Sequence, residues 1–190
     1  MRLRKGYIFV FVVFAVTVLC SCSERRMLIG VSQCSDDEWR QKVNREIRIG
    51  QYKYKNVDVV ICSADNDACR QVNQIDSLIG IGVDLLIVAP SDVRTVTPAI
   101  DKAYKAGVPV ILFDRKIGSD NFTAYVGADN VEIGRIMARF VSERLGGKGS
   151  VLEIGGLRGS TPVVERHKGF AEEIRRHPGI STKTVYSDWN

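Results

Sequence analysis

Four short apolar runs, Met27 to Ser32, Val57 to Cys62, Leu85 to Ala89 and Val110 to Phe113, recur at intervals of roughly 25 to 30 residues. The gaps between the first three and before the fourth hold apolar residues at helical spacing. A chain that alternates strand and helix in this way builds βαβ units, so the rhythm restricts the fold to the α/β class with a parallel sheet.

Within the gaps, Trp39, Val43 and Ile47 recur every four residues and predict a helix reaching about Gln51, with these three on its inner face. Val72, Ile75 and Leu78 mark the inner face of a second helix, and Thr95 to Ala106 reads as a third, stopped by Gly107 and Pro109. The unbroken apolar character of Val110 to Phe113 predicts a strand covered on both faces, and Tyr125 to Gly127 a short fifth strand. Asp129 and Glu132 stand at capping-box spacing ahead of a helix whose Ile133, Ile136, Met137, Phe140 and Val141 share one face. That helix runs into Gly146-Gly147-Lys148-Gly149, after which a second series begins: strand Ser150 to Ile154, helix Pro162 to about His177, strand Lys183 to Tyr186. The expected organisation is an export segment over 1–22, a first α/β lobe over 27–147, and the start of a second over 148–190. One helix and two strands bury little apolar surface, so the second lobe is expected to be incomplete and the chain to be a fragment.

The N-terminus carries Arg2, Arg4 and Lys5, then a run from Tyr7 to Cys20 that is apolar except for Thr17. This is the pattern of an export signal, shorter than the roughly 20 residues of a spanning helix, although an uncleaved anchor is the other reading. Leu19-Cys20-Ser21-Cys22 resembles a lipobox, which would make Cys22 a lipidation site and hold the protein at a membrane of the cell envelope, on the periplasmic side.

Charge excludes one class of partner. Of 27 basic residues three lie in the export segment, leaving 24 against 22 acidic ones, too even a balance for a nucleic-acid binder. A helix-turn-helix would also need the place that the export segment occupies. Cys34, Cys62 and Cys69 follow; an exported chain permits a disulfide between Cys62 and Cys69, and the pattern fits reduced thiols equally. His167 and His177 make no zinc spacing with them, so neither metal nor cofactor is expected. No catalytic motif stands either. Gly80-Ile81-Gly82 precedes a strand where a dinucleotide fingerprint must follow one, and Gly155-Gly156-Leu157-Arg158-Gly159 lacks its spacing. The lysine in the 146–149 run lacks P-loop context, and no Ser, His and acid converge.

Ligands of open parallel sheets bind beyond the carboxyl ends of the strands. There this sequence is polar: Ser32 to Asp37, then Ser63, Asp65, Asn66 and Asp67, then Ser91 and Asp92, then Asp114 and Arg115. The stretches Asp84-Leu85-Leu86-Ile87-Val88-Ala89-Pro90, Gly107-Val108-Pro109-Val110-Ile111-Leu112-Phe113-Asp114-Arg115, Gly127-Ala128-Asp129-Asn130 and Glu165-Arg166-His167-Lys168-Gly169-Phe170 follow in the order seen in one family. With them, the chain from about Leu28 onward resembles the ribose-type periplasmic binding proteins and the related ligand domains of sugar-responsive repressors.

The resemblance implies two Rossmann-like lobes closing on a small sugar. Asp114 and Arg115 would hold sugar hydroxyls, Arg166 would reach them from the second lobe, and Trp39 and Trp189 would sandwich the ring. Asp36 and Asp92, from their places beyond the ends of strands, complete the expected ligand set. The chemistry fits: a carboxylate accepts from two hydroxyls, a guanidinium donates in a fixed fork, and an aromatic face covers sugar C–H groups. Trp39 has a plainer reading too, as a core residue in phase with Val43 and Ile47. Asp36 and Glu38 stand where ribose binders carry an asparagine and an aromatic, a departure that points away from ribose itself. Val31-Ser32-Gln33-Cys34-Ser35 through Trp39-Arg40 is also similar to the periplasmic sensor domains of hybrid two-component regulators. The implied partner is therefore a membrane permease of an ABC-type transporter or, alternatively, a sensor kinase.

Overall fold

The computed structural model describes residues 25–187, so the export segment, Cys22 and Trp189 lie outside the described residues. In chain order the elements are β1 (Met27–Gln33), α1 (Glu38–Lys53), β2 (Val57–Ser63), α2 (Ala68–Gly80), β3 (Leu85–Val88), α3 (Val93–Lys105), β4 (Val110–Phe113), β5 (Ala124–Val126), α4 (Asn130–Arg144), β6 (Gly149–Gly155), α5 (Thr161–Ile174) and β7 (Ile180–Tyr186). The first five strands form one parallel sheet in the order β2-β1-β3-β4-β5, while β6 and β7 pair in parallel as a separate two-stranded sheet. The α/β architecture expected from the strand rhythm is the one observed.

Four of the helices start the same way. Asp37, Asp67, Asp92 and Asp129 are the N-caps of α1 to α4, each side chain accepting the backbone N–H three residues on. That satisfies one of the N–H groups a helix leaves unpaired in its first turn. Much of the acidic character beyond the strand ends thus has a structural cause. At α4 the capping box is half formed: Asp129 accepts from the Glu132 N–H, but the Glu132 carboxylate turns to Arg139.

The main core lies on one face of the sheet, where Ile75 and Leu78 of α2 and Val96 and Ile100 of α3 bury Leu86, Val88, Val110 and Leu112. On the other face α1 covers Val31 and Val59, but Ile87, Ile111 and Phe113 are half-buried and Val126 is exposed. The expectation that β4 is covered on both faces therefore holds for one face only. The three described cysteines are free thiols, so the disulfide alternative for Cys62 and Cys69 is not the one observed; burial pushes the Cys62 thiol up from its ordinary pKa.

Helix α4 departs most from expectation. It packs against α5, with a far larger contact than it makes with the five-stranded sheet. Its buried face is the stripe Asn130, Gly134, Ala138 and Ser142, not the apolar stripe, and Ile136, Met137 and Phe140 stay about half exposed. A Cβ on Gly134 would collide with the Arg166 carbonyl, and one on Gly169 with the Val131 carbonyl, so the two glycines permit a close helix crossing. Small residues bring helix axes together where bulky ones hold them apart. This packing puts α4 with β6, α5 and β7, and moves the passage between the units from the glycine run at 146–149 to Gly127 to Asp129.

Candidate functional site

The sheet order places β1 between β2 and β3, so successive connections leave it in opposite directions and open a crevice beyond its carboxyl end. Buried Gln71 of α2 stitches the floor of that crevice. Its amide donates to the Ser32 hydroxyl (3.1 Å) and the Ala89 carbonyl (2.9 Å), and its Oε1 accepts from the Ser91 N–H (2.7 Å). The ends of β1 and β3 are thereby fixed relative to each other.

At the end of β4, Asp114 has φ of 64°, a left-handed conformation that is uncommon without glycine and that gathers at functional sites. Its N–H donates to the Val126 carbonyl (2.8 Å) and its carbonyl accepts from the Tyr125 hydroxyl (3.1 Å), so the turn is held from β5. The carboxylate accepts from Arg40 Nη2 at 2.6 Å. Arg40 is 2% exposed and also lies 3.5 Å from Gln33 Oε1. Arg115 is also buried, its Nη1 3.4 Å from the carbonyls of Pro90 and Ser91. Both guanidiniums approach the same carboxylate oxygen, Oδ2, Arg40 at 2.6 Å and Arg115 at 3.9 Å, which fixes the orientation of the group and leaves Oδ1 without an ion-pair partner among the described residues.

Asp37 ties the first loop down. Burial alone would raise its pKa, but hydrogen bonds from the Ser35 hydroxyl and the Arg40 N–H, with the Arg40 charge, hold it below the ordinary carboxylate value. Trp39 stands beside this loop, 51% exposed, its ring stacked on Phe113 at 5.6 Å and 10° and the Arg40 guanidinium 4.6 Å from its centroid. Its outward placement departs from the core reading of the Trp39, Val43, Ile47 series.

From the second unit, Arg166 of α5 comes to the same place. Its Nε donates to Oδ1 of the buried Asn130 at 2.9 Å, which leaves the two terminal nitrogens for the cleft. The cleft has a volume of about 950 Å³ and is lined by Asp36, Trp39, Arg40, Asp114, Arg115, Pro162 and Arg166 among others. Such a wall offers carboxylate acceptors, guanidinium donors and one aromatic face, a combination suited to a small molecule rich in hydroxyls. Among the described residues there is no cluster of side chains suited to a metal ion.

Asp36, Trp39, Asp114, Arg115 and Arg166, all named from sequence, thus share one cleft. Asp92 does not join them. It caps α3 through the Thr95 N–H (2.8 Å), and that bond first of all lowers its pKa. Arg40, Asn130 and Gln71 escaped the sequence reading. A signal existed for Arg40: an arginine in the first turn of a helix that starts at a strand-end loop points back toward that loop.

The family model for the periplasmic binding protein domain matches residues 29–190. The chain is 34% identical over 118 residues to the ribose import binding protein of Bacillus subtilis (strain 168), covering 62% of this chain and 39% of that protein. It is 31% identical over 128 residues to the xylitol-binding protein of Mycolicibacterium smegmatis, covering 67% and 37%. Among solved structures, the fructose-binding periplasmic domain of a hybrid two-component system superposes with a TM-score of 0.82 at 45% identity, over 87% of this chain and 55% of that one. Caulobacter myo-inositol binding protein, bound to myo-inositol, gives 0.78 at 29% identity over 87% and 56%. The chain therefore spans about two fifths of the curated relatives and somewhat over half of the solved ones. A match from β1 onward, on a sheet of this strand order with its polar cleft at the switch point, places the chain in the periplasmic binding protein family.

Proposed function

We propose that this chain binds a monosaccharide in the cleft between its two α/β units, in the periplasm, as the solute-binding part of an ABC-type sugar transporter. The observation that carries the reading is Asp114, at a left-handed turn with its carboxylate held by Arg40, sharing one cleft with Arg166 of the other unit. Asp114 accepts from sugar hydroxyls, Arg115 and Arg166 donate to them, and the exposed face of Trp39 covers ring C–H groups. Charge-assisted bonds of this kind contribute about 1.5 to 3 kcal/mol each. A ligand bonded to both units favours their closed arrangement by its differential affinity for it.

The 45% identity to the periplasmic domain of a hybrid two-component system supports a second reading, in which the same cleft reports sugar to a kinase. The two share every binding residue and differ in what the closed form touches. The export segment, with or without lipid on Cys22, would hold either version at the membrane.

Calorimetric titration of the intact protein with D-fructose, D-ribose, D-xylose and myo-inositol tests the reading. Micromolar or tighter binding of one of them, reduced at least tenfold in Asp114→Ala and in Arg166→Ala, is expected. Unchanged affinity in both variants would remove the assignment.

A further inference from the structure

Glu165 precedes Arg166 but does not line the cleft. Its Oε1 accepts from Lys116 Nζ at 2.8 Å, and its Oε2 lies 3.5 Å from the Asn130 amide nitrogen. Asn130 is the residue whose Oδ1 holds Arg166 Nε. Lys116 lies on the other side of the passage between the units, two positions after Asp114, and its backbone N–H donates to Thr161 Oγ1 at 3.1 Å. Two bonds thus join the loop after β4 directly to α5, besides the covalent passage at Gly127 to Asp129. The Lys116 ammonium also sits 5.2 Å from the centroid of Tyr125, whose hydroxyl lies 3.1 Å from the Asp114 carbonyl and 3.4 Å from that of Ala128.

We infer that Lys116 and Glu165 form a latch between the two units and that, through Asn130, this latch sets the direction of Arg166. Lys116, Glu165 and Asn130 are then positioning residues for binding, none of which touches the ligand. The chain of contacts is continuous: Lys116 to Glu165, Glu165 to Asn130, Asn130 to Arg166. An arginine has several rotatable bonds, and fixing Nε removes much of that freedom before a ligand arrives. The Lys116 and Glu165 side chains are 40% and 21% exposed, so the pair weighs as a partly screened ion pair. The hydrogen bond from Lys116 to Glu165 raises the lysine pKa above its ordinary value. The affinity part of the inference rests on the proposed sugar binding; the geometric part does not.

The experiment measures both in the intact protein. Spin labels on Lys105→Cys and Lys183→Cys, with the native cysteines changed to serine, report the distance between the units without ligand. The parent is expected to give one narrow distribution. Lys116→Glu and Glu165→Lys are each expected to lengthen and broaden it, and the double swap to restore it. Affinity for whichever of the four sugars binds is expected to fall roughly two- to fivefold in each single variant, as suits a partly exposed ion pair, and to stay reduced in the swap, which puts an ammonium, a donor only, where Glu165 Oε2 accepts from the Asn130 amide. Asn130→Ala is expected to weaken binding with the distance unchanged. Parent-like distances in both single variants, or no recovery of the distance in the swap, would overturn the latch, and parent-like affinity in the swap would overturn the relay through Asn130. Failure of the parent to bind any sugar would count against the functional reading alone, with the distances still deciding the latch.

Discussion

Replacing Arg40 by methionine separates charge from packing at the centre of the cleft. The side chain is 3% exposed and methionine nearly fills its volume, so little cavity is left and the change is electrostatic. Three contacts go. The bond to Asp114 at 2.6 Å is charge-assisted and of a kind worth about 1.5 to 3 kcal/mol. The 3.5 Å contact with Gln33 adds little, because Gln33 keeps its bond to Asn44 at 2.8 Å. The approach to the half-exposed Trp39 ring is worth about 0.5 to 1 kcal/mol. Against these, the Asp114 side chain is 30% exposed and can rehydrate, which puts the expected loss of stability near 2 kcal/mol. A carboxylate no longer anchored must be ordered by the ligand, a cost of about 0.5 to 1.5 kcal/mol, so affinity should fall roughly two- to tenfold. Urea denaturation of Arg40→Met, Asp114→Asn and the double variant, with calorimetric titration of the same proteins, gives the coupling. A coupling energy of at least 1 kcal/mol in stability is expected; additivity to within about 0.5 kcal/mol would refute Arg40 as the anchor of Asp114.

Two glycine substitutions should have opposite signs. Gly134→Ala drives a methyl into the Arg166 backbone, so overpacking of about 1 to 3 kcal/mol outweighs the roughly 1 kcal/mol helical gain, and both melting temperature and sugar affinity should drop. Gly50→Ala, inside α1 with nothing within 4 Å, should stabilise by about 0.5 to 1 kcal/mol in the same melting assay. Trp39→Ala removes a half-exposed ring, so it should cost less than about 1.5 kcal/mol of stability yet weaken sugar binding roughly tenfold; titration and melting of one sample test both. Asp37 and Asp92 have pKa values below their ordinary ones in the folded chain, so their stabilisation is complete above about pH 4 and is lost as pH falls through the lowered values. Asp92→Asn keeps a cap oxygen that does not titrate, and should make the decline in melting temperature below pH 4 shallower; an unchanged acid limb would argue against a stabilising cap charge.

The strand rhythm was legible because parallel strands buried under helices read as short apolar runs whatever the ligand. The convergence of Asp114, Arg115 and Arg166 on one cleft was legible through the order of motifs around them. The helix faces were less so. Periodicity pointed to Ile133, Ile136, Met137 and Phe140, yet the face of α4 that meets α5 is Asn130, Gly134, Ala138 and Ser142, because two helices crossing closely select for lack of bulk. Arg40 was hidden by its type. An arginine on a helix of low hydropathy reads as a solvated charge, and only the position of Asp114 across the cleft makes it a buried one.

The acidic strand ends show why Asp114, and not the capping aspartates, is available to the proposed ligand. After β1, β2, β3 and β5 the chain enters a helix, and the aspartate at each entry is taken by the cap: Asp37, Asp67, Asp92 and Asp129. A capping carboxylate is already bonded to backbone N–H groups and sits over its own helix. After β4 no helix follows; the chain turns at Asp114 and continues through a loop to β5. Asp114 therefore has no first turn to cap, and its carboxylate is held instead by an arginine from another element. The left-handed backbone is tied by β5 and Tyr125 rather than relaxed, so the strain is maintained by structure that serves the turn. The sequence offers four polar strand ends and reads Asp129 as a cap; the topology makes Asp37, Asp67 and Asp92 caps as well, and leaves Asp114, with Asp36, on the cleft that Arg166 also lines.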